Sequence, residues 1–182
     1  MSVFSIILAT HDSERTLVPT LAALVPGATA GIVREVIVAD AGSRDSTREV
    51  ADIAGCHFLV SSEPRGARLA AAARSARGDW LMFLEPGVVP APTWIDETIA
   101  FIDRAGIDVR AAVFAEAGGL FAALRRSLLL PRAAQGLILR KTAYQQLGGH
   151  RADAANPEQA LLRRIGRRRL TTLRSAIGFP DI

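Results

Sequence analysis

One stretch, residues 36–47, constrains the fold more than any other part of the sequence. It opens as an apolar, β-branched run of strand length and continues into Asp40, Gly42 and Asp45. Residues 48–54 then follow with helical spacing, so the stretch predicts a strand, a tight turn and a helix. Ligands of open parallel sheets lie outside the carboxyl ends of strands, where Asp40 is expected, and Gly42 would let the backbone approach a ligand closely. The alternative is that Asp40 and Asp45 only cap and turn the chain.

A second strand and a helix precede this stretch. Residues 3–9 form a near-continuous apolar run, which is typical of a buried parallel strand. Residues 15–24 have leucines at helical spacing, and we expect residues 26–27, Pro-Gly, to end that helix. The chain therefore opens as β-α-β, and a right-handed crossover makes its two strands parallel.

Parallel strands end at the same edge of a sheet, so Thr10 and His11 should face the same crevice as Asp40. His11 could bond a ligand there, or it could only cap or pack against its neighbours.

The rest of the chain continues the alternation of strands and helices. Further strands are predicted at residues 57–60, 80–84, 111–115 and 135–140, and helices at residues 67–76, 94–104, 120–130 and 141–147 and from Pro157 onward. Residues 88–92 are predicted to form a proline-marked loop. This order predicts one α/β domain over residues 1–182, with a mostly parallel central sheet flanked by helices. Arg65 and Arg68 flank the N-terminus of the helix at residues 67–76, where they could serve a phosphate or remain solvated surface arginines.

Composition excludes several classes of protein. The single cysteine, Cys56, excludes an internal disulfide and a cysteine-rich metal site. No apolar run is long enough to span a bilayer, and no basic region precedes the first apolar segment. Neither a Gly-x-Gly-x-x-Gly nor a P-loop follows the first strand, which disfavours dinucleotide dehydrogenases and P-loop enzymes. A cytoplasmic location is the expectation.

The charge is divided unevenly along the chain. Residues 1–124 carry 10 Lys and Arg against 15 Asp and Glu, whereas residues 125–182 carry 12 against 3. This basic third implies an anionic partner: lipid head groups, nucleic acid or a phosphorylated substrate. Residues 163–169 lack interleaved aromatic side chains, so nucleic acid is disfavoured. The apolar and basic residues 120–130 could lie in a membrane interface or pack on the sheet.

Four segments resemble, in order and spacing, the inverting family 2 glycosyltransferases of the GT-A fold. Residues 5–12 stand where such enzymes have an apolar strand and then Pro-Thr-Tyr-Asn. Residues 38–47, Val-Ala-Asp-Ala-Gly-Ser-Arg-Asp-Ser-Thr, are similar to Val-Val-Asp-Asp-Gly-Ser-x-Asp-x-Thr. Residues 76–84 resemble Ala-x-Gly-Asp-Tyr-Leu-Leu-Phe-Leu, and residues 135–150 resemble the segment that closes the acceptor side.

The resemblance implies that residues 1–115 bind a nucleotide sugar and that residues 116–182 form the acceptor side with a basic C-terminal helix. The contacts to the nucleotide sugar would come from Thr10, His11, Asp40, Gly42, Arg65, Arg68 and Glu85. Asp40 would recognise the nucleobase, the two arginines would lie near the diphosphate, and Glu85 would hold the ribose or a metal ion.

The sequence departs from the family pattern at two chemically important places. The Asp-x-Asp motif, whose carboxylates hold ribose and a divalent metal in the family, reads Glu85-Pro86-Gly87. One carboxylate makes a poor Mg²⁺ or Mn²⁺ site, so the metal would be weakly held by Glu85 or dispensable. The catalytic base, a carboxylate that takes the proton of the acceptor hydroxyl, would be Glu158.

The resemblance therefore implies an enzyme that moves a sugar from a nucleoside-diphosphate sugar to an acceptor hydroxyl with inversion. The acceptor could be lipid-linked, with peripheral contact at the inner face of the membrane through the basic C-terminal third. The alternative is a non-catalytic relative, a binding or partner module that has lost its metal site.

Overall fold

The computed structural model describes residues 3–105, 110–116 and 135–178. In this part of the chain, strands and helices alternate. The strands are β1 (Phe4–Thr10), β2 (Val33–Asp40), β3 (His57–Val60), β4 (Trp80–Leu84), β5 (Val89–Pro90), β6 (Ala111–Glu116), β7 (Leu137–Arg140) and β8 (Leu170–Gly178). The helices are α1 (Glu14–Thr29), α2 (Thr47–Ile53), α3 (Arg65–Ser75), α4 (Trp94–Ala105), α5 (Lys141–Gln146) and α6 (Pro157–Ile165), with a 3₁₀ turn at Arg167–Arg169.

All eight described strands belong to one sheet, in the order β3-β2-β1-β4-β7-β6-β8-β5. The strands β3, β2, β1 and β4 are parallel, as are β6 and β8, whereas β7 and β5 pair with antiparallel neighbours. The predicted α/β class with a mostly parallel sheet is confirmed. Within the described ranges, no helix is long and apolar enough to cross a membrane.

Strand β1 lies at the centre of the hydrophobic core because both of its faces are covered. Phe4, Ile6 and Leu8 pack in the cluster beneath α1 and α4, whereas Ile7 and Ala9 pack in the cluster beneath α3 and α6. All seven residues of β1 are buried. The apolar run in the sequence therefore reflects a central parallel strand, which has no polar face.

One predicted helix boundary is wrong. Helix α1 does not end at residues 26–27 but continues to Thr29. Gly27 lies in its last turn, where an added Cβ would come within 2.6 Å of the Trp94 ring, so the missing side chain makes room for the indole. Trp94 is 1% exposed and donates from Nε1 to the Ala23 carbonyl at 3.2 Å. Packing of the buried Trp94 against Gly27 offsets part of the roughly 3 kcal/mol that each of the two internal prolines, Pro19 and Pro26, costs the helix.

Two further predictions have different outcomes. Residues 88–92, expected to form a proline-marked loop, contain the short strand β5, which pairs with the end of β8. The predicted helix at residues 120–130 lies outside the described residues.

Candidate active site

The parallel strands deliver polar residues to one edge of the sheet. Thr10 and Asp40 are the last residues of β1 and β2 and are directly paired in the register of the two strands. Glu85 follows the last residue of β4, and β4 is the other neighbour of β1. The three positions therefore meet at the carboxyl edge of the sheet, where open α/β folds bind ligands.

The carboxylate of Asp40 is buried and fully engaged by the protein. Its Oδ1 accepts from the Thr10 hydroxyl at 2.7 Å and from the Ser43 hydroxyl at 2.5 Å. Its Oδ2 accepts from the backbone N–H groups of Gly42 at 2.8 Å and Ser43 at 2.7 Å. Gly42 has φ of 90°, which lets the loop fold back onto the carboxylate. Four donors fill the usual accepting capacity of a carboxylate.

Hydrogen bonding keeps Asp40 ionised despite its burial. Burial on its own would raise the pKa of Asp40, but the bonds from Ser43, Thr10 and Gly42 lower it below the usual range. Asp40 therefore holds the loop after β2 in place, and its direct contact with a nucleobase stays a prediction.

Hydrogen bonds join the loop after β1 to the loop after β2, and no local pattern in the sequence predicts them. Arg44 N–H donates to Asp12 Oδ1 at 2.7 Å, and Asp12 N–H donates to Ser43 Oγ at 2.8 Å. Asp45 accepts from the N–H groups of Glu14 at 3.0 Å and Thr47 at 3.0 Å. Asp45 therefore caps the first turns of both α1 and α2, as the capping alternative allowed.

A cleft of about 260 Å³ opens beside these loops. Its lining comprises Ala9, Thr10, His11, Ser13, Thr16, Arg65, Arg68, Glu85 and Pro86. Five of the seven predicted nucleotide-sugar contacts therefore share one cavity. The buried Asp40 does not line it but bonds the Thr10 hydroxyl, and Gly42 is exposed on the loop after β2. His11 is exposed at the rim, with 66% of its side chain accessible.

The two arginines of the cleft are held in different ways. Arg68 is 9% exposed and donates from Nη1 to the carbonyls of Thr10 at 3.2 Å and Ala39 at 2.6 Å. Burial and the charge of Arg65 lower the pKa of Arg68, against the opposing effect of Asp40 and Glu158. Arg68 is therefore fixed to the strand ends by backbone oxygens, and its charge is built into the edge of the sheet.

Arg65 instead bonds two carboxylates, which are the two principal candidates for chemistry. Its Nε donates to Oε1 of Glu158 at 2.5 Å, and its Nη2 lies 3.5 Å from Oε1 of Glu85. The Glu158 side chain is 11% exposed, whereas those of Glu85 and Arg65 are 39% and 36% exposed. Arg65 thus joins the predicted donor side to the predicted base, 93 residues further along the chain.

Close packing at Gly66 brings Glu158 to this position. A Cβ on Gly66 would overlap the carbonyl oxygen of Arg151 and come within 3.1 Å of Pro157. The first turn of α3 therefore lies directly against the first turn of α6. Asn156 accepts from the N–H of Gln159 at 2.9 Å and Pro157 occupies the first helical position, so α6 begins where Glu158 faces Arg65.

The side chains at this edge are a poor fit for a divalent metal. No group of three or more His, Cys, Asp or Glu that could hold an ion occurs within the described ranges. Glu85 already has a cationic partner in Arg65, and Gly87 has no side chain to offer. Hard cations such as Mg²⁺ need several oxygen ligands, so Glu85 alone leaves nearly all of them to the substrate and water.

An aromatic group lies on the face of the sheet that carries α3 and α6. His150 is 4% exposed and packs edge-on against Phe83, with the ring centroids 4.7 Å apart. Its Nδ1 lies 3.0 Å from the hydroxyl oxygen of Tyr144, within hydrogen-bond distance. The backbone N–H of His150 also donates to that hydroxyl, at 2.9 Å. Burial, followed by the charges of Arg164 and Arg65, lowers the pKa of His150 to about 3. His150 is therefore a neutral packing residue beneath the site.

Comparisons with known proteins agree with this geometry. Residues 5–167 match Glycosyl transferase family 2. A search of curated proteins found no match. Among solved structures, the fold is similar to that of glucosyl-3-phosphoglycerate synthase from Mycobacterium tuberculosis in complex with Mn²⁺, uridine diphosphate and glucosyl-3-phosphoglycerate. The TM-score is 0.75 at 19% identity, covering 100% of this chain and 73% of that chain.

Two further complexes of that enzyme give the same result. The complex with Mg²⁺ and uridine diphosphate has a TM-score of 0.76 at 18% identity, covering 100% of this chain and 72% of the other. The complex with Mn²⁺ and uridine-diphosphate-glucose has a TM-score of 0.75 at 19% identity, with the same coverage. At this identity the structures establish a shared GT-A fold, and the family match covers most of the sequence. The chain belongs to glycosyl transferase family 2.

Proposed function

We propose that the protein transfers a sugar from a nucleoside-diphosphate sugar to an acceptor hydroxyl, with inversion at the anomeric carbon. The observation that carries the proposal is the contact of Arg65 with both Glu85 and Glu158, because it joins a donor-side and an acceptor-side carboxylate through one arginine that lines the cleft. The family match and the glucosyl-3-phosphoglycerate synthase complexes, which contain uridine diphosphate and its glucose conjugate, support a nucleotide-sugar donor.

The donor would lie with its diphosphate against Arg65, Arg68 and the N-terminus of α3. The first N–H groups of a helix have no intrahelical partner, and the helix dipole favours anions there. Thr10 and His11, with Asp40 and Gly42 behind them, would form the side of the pocket that faces the nucleoside, and Glu85 would accept from the ribose. Charge developing on the leaving diphosphate would be stabilised mainly by the two guanidinium groups.

The reaction would proceed by a single displacement. The acceptor oxygen attacks the anomeric carbon from the face opposite the diphosphate, and the bond between that carbon and the diphosphate oxygen breaks. Glu158 takes the proton of the attacking hydroxyl as general base. Attack from the opposite face inverts the configuration of the sugar.

The protein itself would hold a metal ion only weakly. Its side chains at this edge fit Mg²⁺ or Mn²⁺ poorly, so we propose that the nucleotide sugar still binds in the presence of a chelator, although the similar enzyme was crystallised with these ions. Calorimetric titration of uridine, guanosine and cytidine nucleotide sugars, each with Mn²⁺ and then with chelator, tests this. Loss of all binding in chelator would contradict it.

The acceptor is proposed to be anionic, because the C-terminal end of α6 and the following turn expose a row of arginines. The exposed members are Arg163, Arg167, Arg168 and Arg169. The similar enzyme was crystallised with phosphoglyceric acid, an anionic molecule. The alternative anionic acceptor is a lipid-linked phosphate, which the protein would reach by peripheral contact with a membrane. Turnover assays with small phosphorylated hydroxy acids and with lipid extracts, run in parallel, would separate the two.

Replacement of Glu158 by Gln tests the catalytic assignment. We expect turnover to fall at least about 100-fold, the usual contribution of a general base, while donor binding is retained. Asp153→Asn, which removes an exposed carboxylate four residues before α6 begins, is the matched control and should keep turnover. Unchanged turnover in the Glu158 variant would remove Glu158 from the mechanism.

A non-catalytic nucleotide-binding module is the second candidate. The observation that favours it is the closed pair of Arg65 and Glu158, which occupies the proposed base in the absence of ligand. Binding of a donor without transfer to any acceptor, and without slow hydrolysis of the donor, would favour this candidate.

A further inference from the structure

Arg65 differs from Arg68 in what it would lose by turning toward a ligand. Arg68 is anchored by three backbone carbonyls, those of Thr10, Ala39 and Glu63. The described contacts of Arg65 are to side chains, Glu158 at 2.5 Å and Glu85 at 3.5 Å. Side chains can rotate away while strand ends cannot, so Arg65 is the arginine of this cleft that can exchange partners.

Glu158 depends on that contact when the cleft is empty. Its residue is 8% exposed, and a buried carboxylate without a cationic or hydrogen-bonding partner is strongly destabilising. Its bond to Arg65 Nε is short and charge-assisted, which is the stronger class of hydrogen bond. The contact of Arg65 with the half-exposed Glu85 is longer and screened by water, so it contributes less.

A diphosphate in the cleft would compete directly with Glu158. Guanidinium groups bind phosphate oxygens through two parallel N–H donors, a geometry that the single Nε bond to Glu158 does not satisfy. Arg65 lines the same cleft as Arg68, so an anion drawn in by the fixed charge of Arg68 arrives beside Arg65.

We propose that Arg65 is a donor-operated latch on the catalytic base. Without donor, Arg65 holds the Glu158 carboxylate in an ion pair through Oε1, so that this oxygen is not available to the acceptor hydroxyl. When the diphosphate binds, Arg65 turns to it and the Glu158 carboxylate is released to take the proton of the acceptor hydroxyl. The latch deepens the proposed function and rests on it, because it makes donor binding a condition for activating the acceptor.

The first test isolates the diphosphate from base and sugar by using inorganic pyrophosphate. We expect Glu158→Gln to tighten its Kd about 5- to 20-fold by calorimetry, the loss of one charge-assisted bond that otherwise competes for Arg65. Removing a negative charge near the cleft would also favour anions without any latch. The same substitution is therefore made in an Arg65→Met background, where the latch predicts a gain of less than about 2-fold because the coupled partner is gone. Asp153→Asn serves as the control for a change in net charge.

The second test uses the wild-type protein, because Arg65→Met leaves a buried carboxylate unpaired and can unfold the chain. The Arg65 Nε–H, identified as the side-chain NMR resonance lost in Arg65→Lys, should lie downfield while it donates to Glu158. Saturating pyrophosphate should move it toward the position that it has in Glu158→Gln.

The outcomes distinguish the latch from the transferase. If sugar transfer occurs but Glu158→Gln leaves the pyrophosphate Kd and the resonance unchanged, the latch is wrong and the transferase stands. Suppose instead that the tighter pyrophosphate Kd requires Arg65 and that the Arg65 Nε–H resonance moves, but that no nucleotide sugar is turned over. Then Arg65 does exchange partners when an anion binds, and the transferase is wrong. An absence of pyrophosphate binding in every variant overturns the latch, and turnover of a nucleotide sugar then decides the transferase by itself.

Discussion

At the scale of single residues, Asp40 accepts four hydrogen bonds that hold the end of β1 and the loop after β2 in one arrangement. A ligand does not need to touch Asp40 to depend on it, because Thr10 lines the cleft in a position that the carboxylate sets. A substitution at Asp40 should therefore appear first as lost stability and only then as lost binding.

Asp40→Asn tests this structural role. An amide places N–H donors against the donors of Gly42 or Ser43, so we expect the free energy of unfolding in urea to fall by about 2–4 kcal/mol. Asp52→Asn, at a carboxylate that is 58% exposed and pairs with Arg48 four residues earlier, should change it by less than about 0.5 kcal/mol. The contribution of ionised Asp40 to the free energy of unfolding is fully present at pH values above the ordinary carboxyl pKa. It is lost as the pH falls toward the lower pKa that Asp40 has in the folded protein.

His150 should make stability sensitive to mild acid. Its folded pKa is lowered to about 3, so unfolding takes up a proton once the pH falls below the ordinary histidine value of about 6.5. We expect a loss of about 2 kcal/mol between roughly pH 7 and pH 5. His150→Asn, whose side-chain oxygen can still accept from Tyr144, should remove that part of the slope, whereas the exposed His11→Asn should keep it. Equal slopes in the two variants would contradict the assignment.

At the scale of elements, the arginines of α6 have separate roles. Arg164 donates from Nη1 to the Leu147 carbonyl at 2.6 Å and from Nη2 to the carbonyl of Gly149. These carbonyls follow the C-terminal end of α5, where backbone oxygens lack helical partners. The neighbouring Arg163 is exposed. Part of the basic run in the sequence thus stabilises a turn and is not available to an anionic partner.

Arg164→Met should separate these roles. We expect the free energy of unfolding to fall by about 1–3 kcal/mol because two partly buried carbonyls lose a charged donor. Arg163→Met, one residue earlier on the same helix, should change stability by less than about 0.5 kcal/mol. Urea unfolding of both variants measures the difference, and similar losses in the two would argue against the cap.

The elements that the sequence predicted well are those whose signal is local. The strands β1 and β4 are continuous apolar runs between turn residues, and the Asp-Ala-Gly-Ser loop carries its own hydrogen-bonding groups. The predicted end of α1 was wrong, and the last turns of this helix pack against Trp94, which lies 71 residues from the Ala23 carbonyl that it contacts. No window of neighbouring residues contains that contact.

The sequence predicted which residues belong to the candidate site but not which of them bond to each other. The residues at the strand ends follow from topology, since parallel strands end together. The bond between Arg65 and Glu158 spans 93 positions, and nothing local to either residue indicates it. The glycine at position 66, next to the arginine, is the sequence signal that a close contact was needed there.

At the scale of the whole molecule, ligand binding and folding are linked. A ligand at 100 times its Kd stabilises the folded state by about 2.7 kcal/mol. For a chain of this size we expect the nucleoside diphosphate of whichever donor binds, at that excess, to raise the Tm by about 5–10 °C in the presence of chelator. The same nucleoside without phosphates is the matched control and should leave the Tm unchanged. A rise that appears only with Mn²⁺ would contradict the assignment of leaving-group charge to the arginines.

The contact at Gly66 also limits how segments of different family members could be combined in one chain. Exchange of acceptor-side halves between relatives is a natural route to new products, and a crossover between Glu116 and Gln135 would look neutral in an alignment. Here α3 comes from the first half and meets Arg151 and Pro157 from the second where a methyl group would not fit. A hybrid that inherits any larger residue at position 66 would separate the arginine from the base, so the two halves must be inherited as matched partners.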